Sequence, residues 1–133
     1  MAEQIVISNK DYIFFNNNTD FFHIPWEEKG KNWDPAWLPD SIHYVIWNEK
    51  PGQNEIQTKD PSTGDMTGNT DLNSTSDAVG TTTIASLLTW AETRQLQILE
   101  AKTAFRIAED ADEANGTTDT VGKNWSDYDP NYS

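Results

Sequence analysis

From Thr82 to Asn115 the chain runs without glycine or proline, through a stretch rich in Ala, Leu, Glu, Gln, Lys and Arg. Those residues favour the α-helix. Thr81, Thr82 or Thr83 can cap its start, and Gly116 is a natural stop. At 1.5 Å per residue such a helix extends about 50 Å. The small region that precedes it is too short to bury a helix of that length from end to end. Ile84, Ala91, Ile98 and Phe105 recur every seventh residue. Leu87, Arg94, Ala101 and Ala108 fill the companion position three residues on, and Arg94 alone among the eight is not apolar. Leu88, Leu96 and Leu99 widen the stripe. Two readings are open: a coiled coil or other helix-mediated assembly, or an amphipathic helix packed along its own β region. Beyond Ala108 the run "EDADEA" opposes the helix dipole and predicts a frayed end.

The first 60 residues read as a small β-rich domain. "QIVIS" and "YIFF" are β-branched and aromatic runs, and the polar "NNNTD" closes the second. Residues 25–41 hold Pro25, Trp26, Trp33, Pro35, Trp37 and Pro39, and predict an irregular segment pinned by tryptophans. "IHYVIWNE" is the clearest strand. Strict alternation puts Ile42, Tyr44 and Ile46 on one face and His43, Val45 and Trp47 on the other. Pro51-Gly52 marks a turn, and "NEIQTKD" predicts a returning polar strand, hence a hairpin over 42–58 with that strand at the edge.

Residues 61–81 are dominated by Ser, Thr, Asn, Asp and Gly, and predict a flexible acidic linker. The tail 116–133 is polar with three aromatics, expected to be disordered or docked on a neighbour. The word Gly-Lys-Asn-Trp occurs twice, at 30–33 and 122–125, but the copies diverge at once and share no repeat period. The expected architecture is therefore α+β: a small N-terminal antiparallel β region, a linker, one long C-terminal helix over about 82–115, and a polar tail.

Composition narrows the function. The 133 residues carry a net charge of −13, which repels nucleic-acid phosphates and anionic membrane surfaces and favours a protein partner. The chain has no cysteine, so disulfides, thiolate nucleophiles and cysteine zinc sites are excluded. No apolar run is long enough to span a bilayer, and "MAEQIVISNKD" does not read as a signal peptide. The Asn-x-Ser/Thr triplets at Asn17, Asn73, Asn115, Asn124 and Asn131 follow from an Asn- and Thr-rich composition.

His23 and His43 sit in no metal-ligand spacing, and His43 lies on the best strand among apolar residues, as a structural histidine would. Asp65, Asp71 and Asp77 match no calcium-loop pattern. Nucleophile-elbow and phosphate-loop motifs are absent. No enzyme, cofactor or metal site is expected; a small hydrolase using His43 with an acidic residue is the remote alternative.

Pro39, Ile42, His43, Trp47, Glu55 and Ile56, in "WLPDSIHYVIWNEKPGQNEIQ", form a pattern similar to that of small phage tail-assembly chaperone-like proteins encoded beside tail-fibre genes. There a β-hairpin precedes an Ala- and Glu-rich helix. Tyr44 and Ile46 depart from that pattern, and the loop 59–81 is longer. The resemblance implies a protein that binds a trimeric tail fibre or another tail protein, in the virion tail or in the host cytoplasm during assembly. It would act as chaperone, cap or accessory component, or alternatively as a stoichiometric structural subunit of tail or capsid. A homo-oligomer formed through the 82–115 helix is compatible with either. Tryptophan is enriched at interface hot spots, so Trp33, Trp37 and Trp47, with Ile98 and Phe105 on the helix, are the expected partner contacts.

Overall fold

The computed structural model describes residues 4–17, 20–29, 38–49 and 54–132. Strand β1 (Gln4–Ser8) buries every second side chain, Ile5 and Ile7. It pairs antiparallel with β2 (Tyr12–Asn17), setting Ile5 beside Phe15 and Ile7 beside Ile13. The connecting loop, Asn9 to Asp11, needs a left-handed residue, and Lys10 supplies it at φ 68°. Asn9 fixes the loop: its side-chain amide donates to the carbonyls of Pro39 and Ile42, and its N–H to that of His43.

On the other side of β1 runs β4 (Ile42–Asn48), with Trp47 beside Ile5 and Val45 beside Ile7. A bulge between Ile42 and Tyr44 breaks the alternation expected from the sequence. Ile42 joins Val45 and Trp47 in the core, while Tyr44 and Ile46 are half-buried. β5 (Glu55–Lys59) returns along β4 and completes the expected hairpin.

Two further strands correct the sequence reading. β3 (Asp20–Pro25) pairs along β2, beyond the expected "NNNTD" turn, where no strand was expected. β6 (Met66–Asp71) pairs along β5 inside the supposed linker 61–81. All six of its side chains are exposed, so it is held by its backbone ladder rather than by burial. The six strands lie in the order β3-β2-β1-β4-β5-β6, which makes β5 an interior strand and β6 an edge. The rest of that segment is ordered as well. Asp77 Oδ2 accepts from the N–H groups of Asn73 and Ser74, and Leu72 and Val79 enter the core. The short strands β7 (Ala78–Val79) and β8 (Thr82–Thr83) form a hairpin around Gly80, whose φ of 65° is left-handed.

Helix α1 (Ile84–Asn115) is capped by Thr83, whose Oγ1 accepts from the N–H of Ser86, and ends at Gly116 with φ 66°. Its acidic end does not fray into isolated charges. The Asp112 carboxylate accepts from the Thr117 hydroxyl, the Thr120 hydroxyl and N–H, and the Asp119 N–H. These hydrogen bonds, the hydroxyl of Thr117 foremost, hold the Asp112 carboxyl well below the usual carboxylate range.

Ile84, Leu87, Leu88, Trp90, Ala91 and Ile98 of α1 form one core with Ile5, Ile7, Ile13, Phe15, Ile24, Val45 and Trp47 of the sheet. Truncating one of the Leu, Ile, Phe or Trp side chains among these to Ala removes about 2–5 kcal/mol. The heptad stripe of α1 is thus covered within the chain, and the amphipathic reading holds for it. The fold is α+β: a six-stranded antiparallel sheet followed by one long helix. Among the described residues no helix is long and apolar enough to cross a membrane.

Candidate partner-binding surfaces

The tail, expected to be loose or docked elsewhere, folds back along α1. Gly122 turns the chain at φ 79°, and a 3-10 turn (Trp125–Tyr128) follows. Trp125 packs against the core, and the Tyr128 ring lies 5.4 Å from that of Phe105. Asp129 then reaches Arg94, the polar exception in the heptad, with Nη2 to Oδ2 at 2.6 Å. Both side chains are withdrawn from solvent, 3% and 0% exposed. Arg94 also donates through Nε to the Lys29 carbonyl and through Nη1 to Gln97 Oε1, while Asp129 Oδ1 accepts from the Asn131 N–H. Every side of the pair is therefore hydrogen-bonded, the condition under which a buried ion pair is tolerated. The Tyr132 hydroxyl donates to the Glu27 carbonyl, and the Lys102 ammonium sits 5.4 Å over the Trp125 ring.

The expected contact residues fare differently. Trp33 and Trp37 lie outside the described residues. Trp47 and Ile98 are buried in the chain's own core. Phe105 is half-buried under Tyr128. The three that are described, Trp47, Ile98 and Phe105, do not form one exposed surface. His43 is half-buried on β4, its ring edge-on to that of Tyr44. Among the described residues no group of three or more His, Cys, Asp or Glu side chains could hold a metal. Asp77 is engaged in capping the turn 73–77, away from any such group.

Among the described residues two apolar surfaces are exposed. The first is the sheet face opposite the core, at its β3 end. Phe14 and His23 are cross-strand partners, Tyr12 and Phe21 share their face, and Phe21 is 71% exposed. The Phe14 and Phe21 rings lie 5.9 Å apart, and those of Tyr12 and His23 5.1 Å apart. Half-buried Val6 and Ile46 continue the row across β1 and β4 to Glu55, which accepts a hydrogen bond from the Tyr44 hydroxyl. That bond raises the Tyr44 hydroxyl above the usual phenol range. β3 pairs with no strand but β2 among the described residues, so its outer edge is a template for another strand.

No family model, curated protein or solved structure matches this chain. The surfaces themselves therefore carry the functional reading.

The second surface is the outward face of α1. Leu96, Leu99 and Ile107 are exposed, and they line a shallow groove of about 370 Å³ with Glu100, Thr103 and Ala104. The sequence reading assigned Leu96 and Leu99 to a widened heptad stripe. At 100° per residue they fall on the opposite side of the helix from Leu87, Arg94 and Phe105. The β3 surface was missed because the residues after the "NNNTD" turn, "FFHI", were assigned no strand. Its alternation of Phe22 and Ile24 inward with Phe21 and His23 outward was the available signal.

Proposed function

We propose that this chain is a tail-fibre-associated protein of a tailed phage that acts by binding, as an assembly chaperone, fibre cap or accessory component. No catalytic step belongs to this reading. The observation that carries it is the aromatic patch of Tyr12, Phe14, Phe21 and His23 beside the outer edge of β3, which pairs with β2 alone among the described residues. An exposed phenylalanine on an edge strand is a liability that monomeric sheets normally cover or charge. Here it offers two things a β-rich partner needs, a backbone ladder and an aromatic anchor. The hairpin pattern of Pro39, Ile42, His43, Trp47, Glu55 and Ile56 supports the same direction by resemblance.

Co-expression with the neighbouring fibre gene tests the proposal. The fibre should become soluble and trimeric with the wild-type chain and less so with Phe21→Asp, whose side chain leaves the core untouched. Unchanged fibre solubility and trimerisation without this protein refutes the chaperone role. Mass spectrometry of purified virions then separates a transient chaperone, absent from particles, from a cap or structural subunit, present at fixed copy number relative to the fibre.

A further inference from the structure

We propose that Asn115–Gly116 is a deamidation site, and that the Asp112 side chain sets how fast it reacts. The inference uses the C-terminal end of α1 and stands apart from the β3 surface and its fibre reading.

Asn115–Gly116 is the one Asn-Gly step in the chain. An asparagine side chain is open to attack by the backbone nitrogen of the next residue, and glycine, with no Cβ, hinders that attack least. Both residues are exposed, and a Cβ built on Gly116 would meet nothing within 4 Å. Neighbouring side chains therefore leave room for the ring. In the reaction the Gly116 nitrogen gives its proton to solvent and bonds to Asn115 Cγ. The Cγ–Nδ2 bond breaks, and the amide nitrogen takes up a proton from water and leaves as ammonia. Water then opens the cyclic imide at either carbonyl, giving aspartate or isoaspartate. Water is the co-reactant throughout, and nothing is oxidised or reduced.

The fold holds this step back. Asn115 ends α1 in helical conformation, where the Cα–Cβ bond tilts toward the helix N-terminus and carries Cγ away from the following nitrogen. The Gly116 N–H is also engaged, donating to the Asp112 carbonyl in the left-handed cap at φ 66°. Ring closure therefore waits for the last turn to open. A helix end opens locally at little cost in free energy unless something ties it down. Here the Asp112 carboxylate does so. It accepts from the Thr117 hydroxyl, the Asp119 N–H, and the Thr120 N–H and hydroxyl, and binds the residues after Gly116 back onto the final turn. The products act against that closure. Either one adds a carboxylate to the acidic helix end of Glu109, Asp110, Asp112 and Glu113, where the helix dipole disfavours it. Isoaspartate also inserts a methylene into the backbone ahead of Gly116, which moves the Gly116 N–H off the Asp112 carbonyl. Modification thus undoes the cap that slowed it.

Peptide mass mapping of the full chain, incubated in mildly alkaline buffer, tests the proposal. Asn115 should convert to a mixture of aspartate and isoaspartate ahead of every other asparagine, and more slowly in the folded chain than in urea. Asp112→Ala should speed conversion in the folded chain at least about tenfold, the factor that a loss of about 1.4 kcal/mol in closing the turn gives. Thr117→Val/Thr120→Val removes the two hydroxyl donors but keeps the carboxylate and its charge. An acceleration there, smaller than in Asp112→Ala, reads the hydrogen bonds alone. Circular dichroism confirms that each variant is folded, and the valine pair decides if Asp112→Ala is not. Earlier conversion at another asparagine overturns the site. A folded wild-type rate equal to the rate in urea overturns the control by the fold, as does a wild-type rate in the folded variants.

Discussion

The Arg94–Asp129 pair sets a quantitative expectation for the tail. Asp129→Ala leaves the Arg94 guanidinium, 3% exposed, with its Nε and Nη1 bonds to the Lys29 carbonyl and Gln97 but no compensating anion. Removing one member of a buried pair destabilises by about 3–5 kcal/mol, because the remaining charge is stranded in a poorly solvated site. The chain has one way to soften this loss: the tail can peel from α1 and let water reach Arg94. The loss is then limited to what docking contributes, namely the Trp125 packing, the Phe105–Tyr128 ring contact and the Tyr132–Glu27 bond. Two measurements separate these outcomes. Urea unfolding of Asp129→Ala should lose about 3–5 kcal/mol if the tail stays bound. If the tail is released, the loss should be smaller and trypsin should cut rapidly after Lys123. The double variant Arg94→Met/Asp129→Leu, apolar on both sides, should recover most of the stability. A single variant within about 0.5 kcal/mol of wild type, with no gain in cleavage, would refute the idea that this pair holds the tail.

Other consequences are as specific. Asp112→Ala removes the acceptor shared by Thr117, Thr120 and Asp119, so amide hydrogen exchange should accelerate in the last turns of α1 and in residues 117–120 while the core amides stay protected. The Asp112 and Asp60 carboxyls are both lowered by hydrogen bonds in the fold, from Thr117 and Ser62 first, so the stability they contribute is present above the unfolded value of about 3.9 and is lost as pH falls below it. Helix-end circular dichroism should follow that acid limb in wild type and lack the Asp112 part of it in Asp112→Asn. The Tyr44 hydroxyl is raised by its bond to Glu55, so its contribution is present below about pH 10 and lost as pH rises through the higher folded value. Ultraviolet titration should show one tyrosine ionising late, and Glu55→Gln should bring it down. Gly80→Ala should cost about 1–2 kcal/mol, since φ is 65° and a Cβ there would sit 3.3 Å from the Pro39 ring; thermal unfolding reads it.

Physical reasons separate what the sequence disclosed from what it hid. The helix was legible because thirty-two consecutive residues share one conformation and their caps, Thr83 and Gly116, are chemically distinctive. The β4–β5 hairpin was legible because β-branched and aromatic residues flank Pro51-Gly52. β6 left no trace in hydrophobic pattern, because an edge strand with every side chain in water needs only backbone partners, and "MTGNTD" reads as a loop by composition. The bulge in β4 was hidden for a related reason: two residues opposing one is a property of the pair, not of either strand.

Arg94 shows how a sequence anomaly can point to structure rather than to assembly. A cation in an apolar heptad position looked like a flaw in a coiled-coil seam. It is the socket for a partner 35 residues downstream in the same chain. The repeated word Gly-Lys-Asn-Trp gains meaning from the same contact. In its second copy Gly122 supplies the left-handed turn, and the Lys123 ammonium lies 5.9 Å over the Tyr128 ring. The Asn124 N–H donates to Asp127 to open the 3-10 turn, and Trp125 delivers the anchor. In this copy the four letters seat a tryptophan after a turn; the first copy, 30–33, lies outside the described residues. The tail packs along the inner stripe of α1, and among the described residues the large apolar side chains that the helix leaves exposed are Leu96, Leu99 and Ile107. A helix that looked like one amphipathic stripe thus carries two apolar faces: one spent on folding, the other exposed.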